Sequence, residues 1–247
     1  MNIIKFGGSI VNPNGKYDDS IIEEFADLVK RSNERFIFVV GGGKICRFMQ
    51  DSVQQFLDEA LGPKSEQKNS ARDEIGIATT KINACYVLNY FKKYLGKKIK
   101  IFPEILIDPT EKVDDSYDVY FVGGWKPGHS TDTDMMLLAK NFKANKVIKI
   151  SDFEIVKNVK PTELLGKSTK EIKDILENSE DLENMTWKNL TNLVGSKWIP
   201  GLNTPFDPKA AKIGYDLRKN LTLHIGRKEE ISKMLKGEEF RGTVVRK

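Results

Sequence analysis

Three clusters of glycine, each directly after a short apolar run, are the residues of this sequence best suited to chemistry on phosphate groups. Glycine after a buried strand lets the backbone turn sharply and approach a ligand, and the amides of a following helix favour an anion. A single Gly-Gly pair is weak evidence, because tight turns also use glycine, but three such loops favour a phosphate site. The clusters are Gly7-Gly8 after residues 3–6, Gly41-Gly42-Gly43 after residues 36–40, and Gly123-Gly124 after residues 119–122.

Two common nucleotide-binding motifs are absent from these loops. Lys44 follows Gly43, but Ile45 stands where a P-loop has serine or threonine, and Phe38 stands where it has the first glycine. The G-x-G-x-x-G pattern of dinucleotide-binding proteins also fails, because Cys46 occupies the position of its third glycine. A phosphate site in this chain must therefore be built from another arrangement of loops.

The elements that must position these loops are strands alternating with helices. The runs before the glycines are predicted to be buried strands, as are residues 147–150 and 221–225. Such alternation favours a parallel sheet with helices on both faces, whose loops meet at the carboxyl edge where ligands bind. The segment 62–70, rich in lysine and serine, is predicted to be a mobile surface loop. The helical stripes are Ile21, Ile22, Phe25, Leu28 and Val29; Ile75, Ile82, Cys85, Tyr86 and Leu88; Met135, Met136, Leu137 and Leu138; and Ala210, Ala211, Ile213 and Leu217.

Composition indicates a globular protein in a reducing compartment. Among 247 residues, 39% are hydrophobic and 30% charged, no apolar run is long enough to span a membrane, and the first residues show no signal-peptide pattern. Cys46 and Cys85 lie in no metal or redox spacing, which favours free thiols and the cytoplasm. The net charge of +5 comes from interspersed charges without a basic block, so neither nucleic-acid nor membrane binding is expected.

Six segments, in order along nearly the whole chain, resemble the amino acid kinase superfamily and within it the shorter, archaeal-type UMP kinases. They are the opening Lys5-Phe6-Gly7-Gly8-Ser9, the second glycine loop 40–47, the segment 73–84, the loop 123–132 with its Ser130-Thr131-Asp132, the helix start 206–213 and the closing strand 237–244. The resemblance implies an α/β fold: a three-layer α/β/α sandwich with a mainly parallel central sheet, formed as one domain by residues 1–247. It also implies transfer of the ATP γ-phosphate to UMP, with Mg²⁺ bound mainly through the ATP phosphates and no separate protein metal site, and a homo-oligomer, typically a hexamer.

The resemblance also assigns roles to individual residues. The catalytic pair is Lys5, which would bridge donor and acceptor phosphates, and Asp132, which would orient that lysine. The residues expected to bind ATP are Gly8, Ser9, Gly43, Arg47, Ser151, Asp152, Lys157 and Lys160. The residues expected to bind UMP are Gly42, Asp73, Trp125, Lys126, Pro127, Gly128, His129, Ser130 and Thr131.

Several of these residues have purely structural alternatives, and one segment departs from the family pattern. Asp73 and Asp132 could be helix N-caps, Arg47 an ordinary exposed helix residue, and Trp125 and His129 loop packing. The family's Thr-Asn-Val-Asp-Gly-Val-Tyr segment, which wraps the adenine side of ATP, is here Ser-Asp-Phe-Glu-Ile-Val-Lys at residues 151–157. The family aromatic is thus replaced by lysine, which puts the donor-base contact in question.

Two other functions remain open at the level of sequence. One is an enzyme of the same superfamily with a different acceptor, such as a small carboxylate, a carbamate or a phosphate ester. The isopentenyl phosphate kinases fit less well, because their second glycine loop carries a histidine that the Gly43-Lys44-Ile45 stretch lacks. The other is a non-catalytic nucleotide- or oxyanion-binding protein on the same fold.

Overall fold

The structure is a computed structural model that describes residues 1–63, 65–197 and 204–247. The strands that it describes form one sheet in the order β3-β4-β2-β1-β5-β7-β8-β6, and neighbouring strands run parallel except β7 and β8, which run antiparallel. Their bounds are β1 Asn2–Phe6, β2 Phe36–Val40, β3 Ile101–Leu106, β4 Val119–Val122, β5 Lys146–Ile150, β6 Asn184–Thr186, β7 Thr222–Gly226 and β8 Gly242–Arg246.

Helices occupy most of the connections between strands. They are α1 Gly8–Val11, α2 Asp19–Arg31, α3 Gly43–Ser52, α4 Gln54–Leu61, α5 Glu66–Leu95, α6 Thr131–Asn141, α7 Thr169–Glu177, α8 Trp187–Val194, α9 Pro208–Leu217 and α10 Ile231–Lys236, with short 3₁₀ turns at Gly96–Lys98, Pro161–Leu164 and Lys228–Glu230. In the described ranges, no helix is both long and apolar enough to cross a membrane.

Alternate strand residues pack on opposite faces of the sheet, so the sheet is the middle of three layers. Ile3 of β1 belongs to an apolar cluster with Met135 of α6 and Trp187 of α8. The neighbouring Ile4 belongs to another cluster, with Phe25 of α2 and other helix residues on the second face. This is the α/β/α sandwich that the alternation of apolar runs and amphipathic stripes predicts.

The strand and helix predictions agree with the structure, but the prediction for residues 62–70 is wrong. The five predicted runs lie in β1, β2, β4, β5 and β7, and the four stripes lie in α2, α5, α6 and α9. In the segment expected to be mobile, the Ser65 side chain caps the first turn of α5 by accepting a hydrogen bond from the Lys68 amide. The Lys68 ammonium group is bonded to Asp58 and to the Pro63 carbonyl. Residues 66–70 are therefore the first turns of α5 rather than a loop, whereas Lys64 lies outside the described residues.

Candidate active site

Two lysines project from neighbouring strands at the carboxyl edge of the sheet. Lys5 and Lys149 are the fourth residues of β1 and β5, and the parallel register pairs them directly. Both side chains are largely buried. Because burying an ammonium group without a partner is unfavourable, we expect an acidic side chain near both lysines.

That acid is Asp132, in the first turn of α6. The Ser130 side chain caps the helix by accepting a hydrogen bond from the Thr133 amide, which places the Asp132 carboxylate over β1 and β5. Its Oδ1 lies 2.5 Å from the Lys5 ammonium nitrogen, and its Oδ2 lies 2.9 Å from that of Lys149. Burial raises the pKa of Asp132, but the Lys149 and Lys5 ammonium groups outweigh burial and hold the pKa well below its usual range. Asp132 is therefore ionised between two cations.

The segment before α9 closes the other side of this cluster. The Asp207 amide donates to Asp132 Oδ2 at 3.3 Å, and the Pro205 carbonyl accepts from the Lys149 ammonium at 2.7 Å. The Asp207 side chain caps α9 by accepting from the Ala210 amide and also accepts from the Thr133 hydroxyl. Asp207 thus joins the starts of α6 and α9 around Asp132.

The first two glycine loops pack directly against each other. A Cβ on Gly8 would lie 1.9 Å from the Gly43 nitrogen, so only glycine permits this approach of the two backbones. Gly43 also has φ +66, a left-handed conformation that favours glycine. The Asn83 side-chain amide of α5 donates to the Gly41 and Gly42 carbonyls at 2.8 and 3.0 Å. The structure therefore brings these loops together beside Lys5.

The third glycine loop, which continues through residues 125–130 to the start of α6, is held by side chains of α5 and α6. The Gly124 amide donates to the Thr80 hydroxyl at 2.7 Å, and the Gly128 amide donates to Asp73 Oδ2 at 2.8 Å. The Lys126 ammonium lies 3.6 Å from the centre of the Trp125 ring. The loop predicted to bind the acceptor thus closes over the N-terminus of α6, next to Asp132.

A buried Asp–His pair lies beneath this loop. Asp134 is fully buried, its Oδ2 accepts from the Trp125 amide at 3.3 Å, and its Oδ1 faces His129 Nδ1 at 3.5 Å. His129 Nε2 lies 2.8 Å from the Lys209 ammonium group of α9. Burial raises the pKa of Asp134 to about 7, although the Trp125 amide and the lysines oppose it, and burial lowers the pKa of His129. Asp134, which is mostly protonated below pH 7, therefore supports the loop that is predicted to bind the acceptor.

An apolar cavity of about 370 Å³ lies next to the segment that departs from the family pattern. Ile155 and Val156 line it, together with Leu164 and Leu176. Lys157 also lines the cavity, but its ammonium nitrogen lies 2.5 Å from Asp181 Oδ1 in an ion pair.

The remaining residues predicted to bind ATP are spread around β5 and α3. Ser151 is buried and its hydroxyl accepts from the Phe153 amide, whereas Asp152 is exposed. Lys160 is exposed and its amide donates to Glu163 at the start of a 3₁₀ turn. Arg47 is exposed on α3, and the Ser9 backbone lies in α1.

Neither of the two aspartates that could have been helix N-caps has that role in the structure. Ser65 caps α5 and Ser130 caps α6, so neither Asp73 nor Asp132 is the N-cap of its helix.

The sequence alone did not assign a role to Lys149, although its pattern contains a signal for one. It is the lysine of an apolar-apolar-Lys-apolar strand, the same pattern as Lys5 in residues 3–6. The contacts of Asp134, Asp207 and Lys209 have no comparable signal, because they depend on how helices pack.

Comparison with known proteins agrees with this arrangement of loops and charges. A family model described as the amino acid kinase family matches residues 1–226. The chain belongs to the amino acid kinase family. Among its relatives, the uridylate kinase of Methanococcus aeolicus is 29% identical and that of Archaeoglobus fulgidus 28% identical, each alignment covering 98% of both chains.

Solved structures of this family share the fold. The crystal structure of uridylate kinase from Archaeoglobus fulgidus superposes with a TM-score of 0.72 at 25% identity, covering 99% of both chains. The UMP kinase of Bacillus anthracis, at 17% identity, has a TM-score of 0.66 and covers 99% of this chain and 95% of its own. The mainly parallel sheet and its helical layers are therefore those of the amino acid kinase fold.

Asp134 gives a testable pH dependence of stability. Its folded pKa of about 7 lies above the usual value of an unfolded aspartate, so its contribution to stability is present at low pH and is lost as the pH rises through 7. Asp134→Asn removes this titration and keeps an oxygen for the Trp125 amide. Between pH 5 and pH 8, the free energy of unfolding of the wild type should fall relative to the variant by something on the order of 3 kcal/mol.

Urea unfolding of both proteins at the two pH values measures this difference. Asp216→Asn, at an exposed aspartate of α9, is the matched control and should follow the wild type. A constant difference between wild type and Asp134→Asn at both pH values would contradict the assignment.

Proposed function

We propose that this protein is a UMP kinase, which transfers the γ-phosphoryl group of ATP to UMP and releases UDP and ADP. The observation that supports it best is the Lys5–Asp132–Lys149 cluster at the carboxyl edge of the sheet, where the first glycine loop follows β1 and packs against the second. The relatives that align with 98% of the chain are named uridylate kinases, which supports UMP as the acceptor.

The reaction needs positioning and charge neutralisation rather than a covalent protein intermediate. An oxygen of the UMP phosphate attacks the γ-phosphorus, and the bond from that phosphorus to the β–γ bridging oxygen breaks, with the electron pair leaving on ADP. Lys5, which precedes the first glycine loop, offsets negative charge on the transferring group. Asp132 keeps the Lys5 ammonium at one place, so little reorganisation is needed during transfer.

We expect Mg²⁺ to bind through the ATP phosphates rather than at a metal site formed by protein side chains. Among the described residues, no group of three or more His, Cys, Asp or Glu side chains could hold a metal ion. Asp132, the acid nearest the transfer point, already accepts hydrogen bonds from Lys5, Lys149 and the Asp207 amide. This suits Mg²⁺, which usually keeps waters and binds substrate phosphates. When bound, the ion would neutralise charge on the ATP phosphates.

The acceptor site is proposed to lie between α5 and the loop 125–130. Asp73 reaches this loop from α5 through the Gly128 amide, and the predicted UMP residues Trp125 to Ser130 form the loop that leads into α6, which begins at Thr131. Gly42, at the start of α3, faces the same space because Asn83 ties its carbonyl to α5. A uridine monophosphate held here would present its phosphate to Lys5.

The donor base is proposed to occupy the apolar cavity beside residues 151–157. Aliphatic side chains such as Ile155 and Val156 can cover a base but provide few hydrogen-bond partners. Lys157 has no ring to stack on the base, and Asp181 already engages its ammonium group. We therefore expect weak discrimination between adenine and guanine, with Gly8, Ser9 and Gly43 holding the phosphates.

Two further properties follow from the resemblance and from features of the surface. The large apolar side chains Phe48, Phe56 and Ile82 are exposed on α3, α4 and α5, which pack against one another, and this supports a homo-oligomer such as the family's hexamer. Cys46 and Cys85 are free thiols, which supports a reducing compartment such as the cytoplasm. The reaction proposed here, UMP to UDP, would serve pyrimidine nucleotide synthesis.

A coupled assay with ATP and GTP against each nucleoside monophosphate tests the proposal. UMP should be the preferred acceptor, and the two donors should differ little in kcat/KM. Preference for another acceptor would place the protein elsewhere in the amino acid kinase family. Nucleotide binding without transfer to any acceptor would favour a binding protein instead.

The Asp73 contact makes a specific kinetic prediction. Asp73→Ala frees the Gly128 amide and loosens the acceptor loop, so it should raise the KM for UMP about tenfold or more while the KM for ATP changes less than about twofold. Steady-state kinetics with each substrate varied in turn provide the test. Glu74→Ala, at the exposed neighbouring residue, is the control and should leave both constants unchanged. Equal changes in the two KM values would show that Asp73 acts on the fold rather than on the acceptor site.

A further inference from the structure

Lys149 has an environment that the packing of the sheet does not explain. It is 9% exposed, between apolar neighbours on a central strand, and its ammonium group bonds to Asp132 and to the Pro205 carbonyl. Burial lowers the pKa of this lysine, and Asp132 opposes that effect. An apolar side chain of similar length would fill the same space without desolvating a charge, and buried ion pairs are often replaceable in this way.

The contacts of Lys149 and Lys5 divide the two oxygens of Asp132 between them. Lys5 takes Oδ1 from β1, and Lys149 takes Oδ2 from the adjacent position on β5 at 2.9 Å, whereas the Asp207 amide is a second, longer donor to Oδ2 at 3.3 Å. A carboxylate bonded at one oxygen can rotate about its χ angles, whereas one held at both oxygens by groups on a rigid sheet has a fixed orientation. The position of Lys5 therefore depends on Lys149 through Asp132.

We propose that Lys149 is a positioning residue of the transfer site: it fixes the Asp132 carboxylate so that Asp132 in turn holds the Lys5 ammonium where the phosphoryl group is transferred. The proposal rests on the proposed phosphotransferase function. Lys149 acts through Asp132 and is not required to touch either substrate. A charged side chain is needed because it both orients Asp132 and keeps it ionised.

The groups that contact Asp132 determine how its pKa and its orientation should change when Lys149 is replaced. They are Lys5 from β1, Lys149 from β5 and Asp207 from the segment before α9. Removing the Lys149 charge leaves Lys5 as the one cation bonded to Asp132. The pKa of Asp132 should then rise, and only the longer bond from the Asp207 amide would hold Oδ2, so the carboxylate would be less firmly directed at Lys5.

The test compares Lys149→Met and Lys149→Arg with Lys146→Met. Lys146 lies on the same strand and bonds to the Met234 and Leu235 carbonyls away from the cluster, so it is a matched control for loss of a lysine from β5. Lys149→Gln, which keeps a donor without the charge, replaces the methionine variant if that variant does not fold. For each protein, kcat and both KM values are measured as a function of pH.

Lys149→Met should lower kcat by about 10- to 100-fold, the usual cost of removing a group that orients a reacting residue. Both KM values should stay within about threefold, and the acidic limb of the kcat profile should move to higher pH. Lys149→Arg should recover part of kcat and keep the wild-type acidic limb. An unchanged kcat in Lys149→Met, or a loss that appears as a higher KM for ATP or UMP, would overturn the proposal.

Carbon-13 NMR of aspartate carboxyl groups separates this inference from the proposed function, because it needs no activity. The Asp132 signal is identified by its absence in Asp132→Asn. In the wild type and Lys146→Met it should remain that of an ionised group to the lowest pH at which the protein is folded, and in Lys149→Met it should titrate at higher pH. The same titration in all three proteins would refute the role of Lys149. If the Asp132 signals behave as predicted in all three proteins but the wild type transfers no phosphate to any acceptor, the proposed function alone is refuted.

Discussion

The ionised Asp132 carboxylate, buried at the carboxyl edge of the sheet, is the group on which the candidate active site depends. It accepts hydrogen bonds from Lys5 on β1, from Lys149 on β5 and from the amide of Asp207 before α9. None of these charges would be stable in this place alone, because burial without a partner is costly. The cluster therefore requires the sheet register, the start of α6 and the start of α9 to be correct together, and its excess positive charge suits a phosphoryl group.

The loops around this cluster are held by contacts between backbones and buried polar side chains. Gly8 and Gly43 approach so closely that a Cβ cannot be accommodated, and Asn83 fixes the carbonyls of the second loop. The acceptor loop rests on Asp134, whose buried carboxyl group receives the Trp125 amide. Such an arrangement lowers stability to some extent, since it buries charged groups, but it limits the movement of the groups that would meet the substrates.

Local sequence patterns predicted the layers of the fold, because these follow from the periodicity of apolar residues. The roles expected of Lys5 and Asp132 came from the family resemblance, and the structure brings the two side chains into contact. The pairing of Lys149 with Asp132 was not predicted, since it depends on β5 lying next to β1 in register. Likewise, residues 66–70 were predicted to be part of a loop because the segment is rich in lysine and serine. The side chain of Ser65 instead caps a helix that begins at Glu66. The contacts of Asp134 with Trp125 and His129 arise from packing between α6 and a loop, which spacing along the chain does not report.

Turnover of Asp132→Asn with ATP and UMP is the most direct test that this cluster is the transfer site. The substitution keeps the shape of the side chain but removes the charge that holds Lys5, and Lys149 can lose its proton rather than remain a buried unpaired cation. The account predicts a kcat lower than that of the wild type by about 10²- to 10³-fold, with an unchanged far-UV circular dichroism spectrum. A variant that folds and turns over at nearly the wild-type rate would contradict it.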